Sequence, residues 1–181
     1  RIDPASGRSV ASFTLSAATA GSANFFGGLQ VLDSAITLNG VAVPAGTLLF
    51  VQGRSNPDRV IAMGTDGTVI ASLALANYDV TAGVFHLAAG RLYAASSSGA
   101  QNNRVVEIDP ASGALLSSFA APYDIGHAGL AVDPVSGNLW LGSSASREIV
   151  ELTREGVEVR RIDLTAQGVD HPQVKPGQRG I

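Results

Sequence analysis

The sequence contains no cysteine among its 181 residues, and only 15% of the residues are charged. The absence of cysteine excludes a disulfide scaffold and any metal site built from thiolates. The net charge is −3 and no basic block occurs. Because binding to nucleic acid or anionic lipid depends on clustered positive charge, we expect no nucleic-acid partner.

Long apolar runs are also missing. None approaches the roughly 18 residues that a membrane helix requires, so we expect no membrane insertion. The first residues, Arg1-Ile2-Asp3-Pro4, resemble the interior of a domain and not a signal peptide. We therefore expect a fragment or processed product of a larger protein. Few charges and no cysteine fit a secreted or cell-surface bacterial protein, which is the localisation we expect.

An internal repeat indicates the fold. The hexapeptide Ile-Asp-Pro-Ala-Ser-Gly occurs at residues 2–7 and again at 108–113, and divergent copies lie at 59–73 and 148–159. Each copy consists of two apolar-alternating runs joined by a short turn with Asp or Gly, which is typical of a β-hairpin. The later turns recur about 45 residues apart, the period of a four-stranded propeller blade.

The repeat predicts an all-β protein, a β-propeller with four-stranded blades, present as an incomplete piece of a larger ring. The predicted units are an outer hairpin at 1–15, blades at 24–76, 80–121 and 126–165, and the start of a further blade at 166–181. We expect the same chain or a second molecule to supply the remainder of the propeller. In the first blade, the insertion at 33–46 contains Asn39-Gly40, which predicts an extra hairpin.

One aromatic residue occurs in the second strand of each predicted blade: Phe50, Tyr93 and Trp140. Their repetition predicts that they occupy one equivalent position. Large side chains at such a position fill the wedge between twisted sheets. We therefore expect all three in the core between blades.

The run Gly-Leu-Ala-Val-Asp-Pro-Val-Ser-Gly-Asn-Leu-Trp at 129–140 resembles the blades of NHL, streptogramin-lyase-like and gluconolactonase-like propellers. The resemblance covers most of the chain, and it implies a fold and not an active site. The WD40 signature is absent, because Gly126-His127 is not followed by a Trp-Asp pair. In streptogramin lyases the acid/base residue is a histidine, and His127 is the nearest counterpart, although the surrounding motif does not align.

The gluconolactonase-like enzymes hold a divalent metal in the channel with Glu, Asp and Asn. All five glutamates of this chain fall on the predicted outer hairpins: Glu107, Glu148, Glu151, Glu155 and Glu158. None is placed to ligate a metal in the channel. This placement counts against that chemistry here.

Three aspartates occupy equivalent positions before the innermost strands: Asp79, Asp124 and Asp170. The symmetry of a propeller would bring them towards one end of the ring, where carboxylates could hold Ca²⁺. The simpler interpretation is that each caps its own loop. They are the candidate metal ligands. We expect no cofactor, and Ca²⁺ is the alternative that these carboxylates would allow.

Two histidines, His127 and His171, lie beside these aspartates and are candidates for a general base or metal ligands. His86, within an apolar run, is predicted to be a hydrogen-bonded core residue.

We expect a non-catalytic binding or scaffold propeller with a protein or glycan partner. The alternative is a propeller hydrolase or lyase of the lactonase, lyase or phytase kind, with an Asp/His site at the channel mouth.

Overall fold

The computed structural model describes residues 2–10, 12, 27–53, 57–98, 101–144 and 146–166. Within these ranges the chain forms fourteen β-strands and a short 3₁₀ turn at Leu87–Ala89. No helix there has the length and apolar character needed to cross a bilayer. The predicted segments 13–15, 24–26 and 167–181 lie outside the described residues.

Three four-stranded antiparallel sheets form the structure. Blade 1 contains β1 (Leu29–Val31), β4 (Leu48–Gln52), β5 (Asp58–Met63) and β6 (Val69–Leu75). Blade 2 contains β7 (Val80–His86), β8 (Arg91–Ser96), β9 (Arg104–Ile108) and β10 (Leu115–Ala120). Blade 3 contains β11 (Ala128–Val132), β12 (Leu139–Ser143), β13 (Glu148–Leu152) and β14 (Glu158–Asp163). A separate hairpin, β2 (Ile36–Leu38) and β3 (Val41–Val43), is inserted between β1 and β4.

Each sheet is a meander in which neighbouring strands follow one another along the chain, apart from the inserted hairpin. The first strands, β1, β7 and β11, lie innermost, where β7 contacts both of the others. The architecture is a β-propeller with four-stranded blades, as the repeat predicts, and the described blades do not close into a ring. One end of each blade carries the turn between its first and second strands and the turn between its third and fourth strands, and we call it the turn end. The opposite end, with the loop between the second and third strands, is the loop end.

Two apolar layers hold the three blades together. We call the side of a blade that faces the next blade its downstream face, and the other side its upstream face. The first layer joins the downstream face of blade 1, with Val51 and Val60, to the upstream face of blade 2, with Leu92 and Val106. The second layer joins the downstream face of blade 2, through Tyr93 and others, to Leu139, Leu141, Val150 and Leu152 of blade 3. Burial of these aliphatic side chains is the main force that stacks the blades.

Strand register shows that the prediction for the aromatic residues was wrong in part. Leu48, Leu92 and Leu139 pair with Met63, Ile108 and Leu152, the last residues before equivalent turns. The residues that follow, Leu49, Tyr93 and Trp140, are therefore equivalent. Phe50 lies one residue further on, and successive strand residues point to opposite faces. Tyr93 is buried between blades as expected, whereas Trp140 is only half-buried.

The inserted hairpin is confirmed. Asn39 and Gly40 form its turn with φ angles of 51° and 74°, the conformation for which Asn-Gly is preferred. Asn39 donates its backbone N–H to the carbonyl of Pro110 at 2.9 Å and its side-chain amide to the carbonyl of Ser72 at 3.0 Å. The hairpin thereby connects blade 1 to blade 2 at the turn end.

The repeated hexapeptide folds in the same way in both places. Asp3 and Asp109 each accept a hydrogen bond from the hydroxyl of the serine three residues later, Ser6 or Ser112, at 2.5 Å. Their other carboxylate oxygens accept a backbone N–H from two residues later. These local bonds explain the turn chemistry without a bound ion.

Candidate functional site

Two of the three candidate aspartates lie in the described residues, at the loop end. Asp79 accepts the Ser98 hydroxyl at 2.5 Å, and Asp124 accepts the Asn103 side-chain amide at 2.7 Å. Both partners belong to the loop that joins the second and third strands of blade 2. These bonds lead to another loop, whereas the simpler interpretation predicted caps within each aspartate's own loop. Asp170 lies outside the described residues.

His127 is exposed and lies next to Ser144. Its backbone N–H donates to the Ser144 hydroxyl at 3.2 Å, and its carbonyl accepts the Ser144 N–H at 2.9 Å. His171 lies outside the described residues. Across the described ranges, no group of three or more His, Asp or Glu side chains converges in a way that could hold a metal ion. The metal and acid/base roles of Asp79, Asp124 and His127 remain predictions.

Polar side chains at the loop end connect successive blades. Asp58, which begins the third strand of blade 1, accepts the backbone N–H of Val80 in blade 2 at 2.6 Å. Asn103 occupies the equivalent position before the third strand of blade 2 and accepts the N–H of Ile125 at 2.9 Å. The same asparagine adopts a positive φ of 53°, which asparagine tolerates better than most residues do.

A second set of polar side chains connects the blades at the turn end. The Gln30 amide accepts the N–H of Phe85 at 2.9 Å and donates to its carbonyl at 3.0 Å, as a neighbouring strand would. His86 is buried, and its Nε2 lies 3.0 Å from the Gly137 carbonyl of blade 3. Since a carbonyl only accepts, Nε2 carries the proton, and Nδ1 accepts the N–H of Ala89 at 3.3 Å. The prediction of a hydrogen-bonded core histidine is confirmed.

A cleft of about 610 Å³ opens where the inner strands reach the turn end. All three blades contribute to its lining, which includes Gln30, Asp33, Phe85, His86, Arg154 and the turn 132–137. Val135 at its rim is 94% exposed. The sequence does not single out this site, because Asp, Pro, Ser and Gly in the segment 133–137 are ordinary hairpin-turn residues. The available signal was that this turn follows an innermost strand.

The electrostatics of the turn end follow from local hydrogen bonds and burial. The backbone N–H groups of Val135 and Ser136 lower the pKa of Asp133 below its usual 3.8, so the rim carries a carboxylate at neutral pH.

Next to Arg154, a second cleft of about 420 Å³ lies between blades 2 and 3 and is lined in part by Tyr93 and Glu107. Burial, and then the charge of Glu107, raise the pKa of Tyr93 to about 12.

No protein-family model matches the chain, and no curated protein matches it either. Among solved structures, a protein of unknown function from Bacteroides caccae is similar over 76% of this chain and 62% of its own, with 15% identity and a TM-score of 0.52. BamB from Moraxella catarrhalis is similar over 76% of this chain and 36% of its own, with 16% identity and a TM-score of 0.42.

A third solved structure is a catalytically inactive virginiamycin B lyase from Staphylococcus aureus with quinupristin. It is similar over 76% of this chain and 45% of its own, with 19% identity and a TM-score of 0.46. The chain thus spans less than two thirds of the length of each of these structures. At such identities the likeness concerns the fold alone.

Proposed function

We propose that this chain is a non-catalytic binding or scaffold propeller module of a larger secreted or cell-surface bacterial protein. The observation that carries the proposal is how the polar side chains at the blade boundaries are used. Asp58, Asn103, Gln30 and His86 each hydrogen-bond the backbone of the next blade. Such bonds make the stack of blades rigid, and a rigid scaffold presents its loops and clefts for binding.

The binding surface of the proposed module is the cleft at the turn end. Its volume of about 610 Å³ falls in the range of about 300–1,000 Å³ that ligand pockets occupy. Pro134 and Val135 give it apolar contact area, while Asp33 and Arg154 supply charges of both signs. A short peptide or an oligosaccharide matches this mixture of apolar and polar groups. The proposed partner is therefore a protein or a glycan.

The test is binding of the purified chain to an array of oligosaccharides and short peptides. Val135→Asp, within the cleft, should weaken the affinity for the bound probe at least about tenfold, which corresponds to about 1.4 kcal/mol. The matched control is Leu116→Asp, which introduces the same charge at an exposed aliphatic residue on the outer strand of blade 2. Equal binding by both variants would contradict the assignment of the cleft.

A second measurement separates the module from the alternative hydrolase or lyase. The chain and the variants Asp124→Asn and His127→Ala are assayed on lactones and phosphate esters, with and without added Ca²⁺. The proposal predicts no turnover in any of them. Turnover that His127→Ala abolishes would overturn it and would support an enzyme with a channel-mouth site.

A further inference from the structure

The downstream faces of blades 2 and 3 present the same surface at equivalent positions. In blade 2 the face consists of Ala82, Val84, Tyr93, Ala95, Val105 and Phe119. In blade 3 the equivalent residues are Gly129, Ala131, Trp140, Gly142, Ile149 and Ile162. Each face also carries one glutamate opposite its aromatic residue, Glu107 or Glu151. An apolar surface built for packing against a blade is thus repeated on blade 3.

The two faces differ in what covers them. Blade 3 covers the face of blade 2, where Tyr93 is 1% exposed. On blade 3, by contrast, Gly129 and Ala131 are exposed, and Trp140 and Ile149 are half-buried. No blade among the described residues packs against this face. Because exposed apolar faces of this kind mark interaction sites, we expect a partner to bind this surface.

At one position of the face the side chain of blade 3 is larger than that of blade 2, and this larger side chain is compatible with packing between blades. Arg160 stands where blade 2 has Ser117. The Arg160 guanidinium carbon lies 4.7 Å from the centre of the Trp140 ring, and the guanidinium pairs with Glu151 at 3.1 Å. Between blades 2 and 3, Ser117 borders the cleft of about 420 Å³. The inter-blade geometry therefore leaves room for an arginine at this position.

The same chain exposes a complementary surface on blade 1. On its upstream face, Leu29 is 65% exposed and Val31 is 54% exposed, both in the innermost strand. The outer part of that face is already buried at Ile61 and Met63. Upstream faces with aliphatic residues are what the downstream faces of blades 1 and 2 bind within the chain. The inner half of blade 1 offers the same kind of surface.

We propose that the downstream face of blade 3 binds the upstream face of blade 1 in a second copy of this chain. At the inner strands the contact continues the inter-blade interface that occurs twice within the molecule. Because its two sides are different surfaces, the association is head to tail, and it closes if the rotation between copies permits. Twice the three described sheets is six, within the roughly four to eight blades of closed propellers. Two copies thus suffice for a ring.

The chain contains a single tryptophan, and Trp140 lies in the proposed interface, so its fluorescence reports the contact directly. We expect sedimentation equilibrium to show a dimer at about 100 µM, where a Kd of about 1 µM leaves little monomer. Dilution should shift the Trp140 emission to longer wavelength as the dimer dissociates. A monomer at that concentration, or a dimer that dissociates on dilution without a change in the Trp140 emission, would overturn the proposal.

Substitutions test the head-to-tail arrangement. Gly142→Arg obstructs the face of blade 3, and Val31→Arg obstructs that of blade 1, so each variant alone should be monomeric. An equimolar mixture should regain association, because one intact pair of faces remains. Leu116→Arg, on the outer strand of the middle blade, should leave the dimer intact. Near-ultraviolet circular dichroism confirms that each variant is folded. If Val31→Arg alone remains dimeric, or if the mixture stays monomeric, the head-to-tail contact is wrong.

Discussion

The side-chain oxygen of Asn103 accepts a hydrogen bond from the backbone N–H of Ile125 at 2.9 Å, across the boundary between blades 2 and 3. Asp58 makes the equivalent bond to Val80 one blade earlier. At the corresponding position of blade 3 the chain has Arg147, whose guanidinium offers no acceptor. The bond between blades thus depends on side-chain chemistry that changes from blade to blade.

Asp58→Ala should destabilise the chain by about 1–3 kcal/mol, because it removes the acceptor of a buried N–H group. Asp58 is 1% exposed, and Val80 is fully buried, so water does not replace the lost partner. Asp58→Asn keeps an acceptor oxygen and should cost less. Urea unfolding of the three proteins measures the difference. Equal loss in both variants would show that the charge of Asp58, and not the acceptor oxygen, matters.

Gly156→Ala should be far more disruptive than Gly46→Ala. Both glycines have similar positive φ angles, 87° and 80°, so both substitutions carry a similar backbone strain. A Cβ at residue 156 would lie 2.4 Å from the Phe119 ring, whereas a Cβ at residue 46 meets nothing within 4 Å. We expect an extra loss of about 1–3 kcal/mol for overpacking. Thermal unfolding midpoints that agree would contradict the contact between blade 3 and Phe119.

Stability should fall in acid as the turn aspartates become protonated. The Ser112 hydroxyl, and then the Ala111 N–H, lower the pKa of Asp109 below 3.8. A carboxyl whose pKa is lowered in the folded state stabilises the protein at pH values above its unfolded-state pKa. This stabilisation is lost as the pH falls through the folded-state pKa. Ser112→Ala should raise the pKa of Asp109 in an NMR titration of its side-chain carboxyl carbon. An unchanged titration curve would show that the hydroxyl does not hold the carboxylate.

Tyrosine ionisation should be suppressed in the native protein. Burial, and then the charge of Glu148, raise the pKa of Tyr123 to about 12, and its hydroxyl donates to the carbonyl of Leu141. A raised folded-state pKa contributes stability below pH 10, and this stability is lost as pH rises towards 12. Absorbance of tyrosinate at pH 11 should be small in the native chain and should increase on unfolding.

The matching variant is Tyr123→Phe. It should reduce the absorbance change at high pH by the contribution of one of the three tyrosines. It should also lose the hydrogen bond to Leu141. If the native chain already shows three ionised tyrosines at pH 11, the burial of Tyr123 and Tyr93 is wrong.

Local sequence features were sufficient for the turns and the inserted hairpin. Asp109 and Ser112 bond within four residues of one another, and Asn39-Gly40 selects its own backbone conformation. The register of Phe50 was not accessible in this way. It lies in the apolar run Leu48–Val51, where uniform hydrophobicity does not distinguish one face of a strand from the other. Pairing of Leu48 with Met63 decides the matter.

The period of the repeat, the four-stranded blades and the turns could be predicted from the sequence, because they depend on strand alternation and on hydrogen bonds between near neighbours. The side-chain bonds between blades and the position of the cleft became visible only in the folded chain. Gln30 meets Phe85 across 55 residues, and His86 meets Gly137 across 51. Such contacts arise from the packing of whole sheets, which no local pattern encodes.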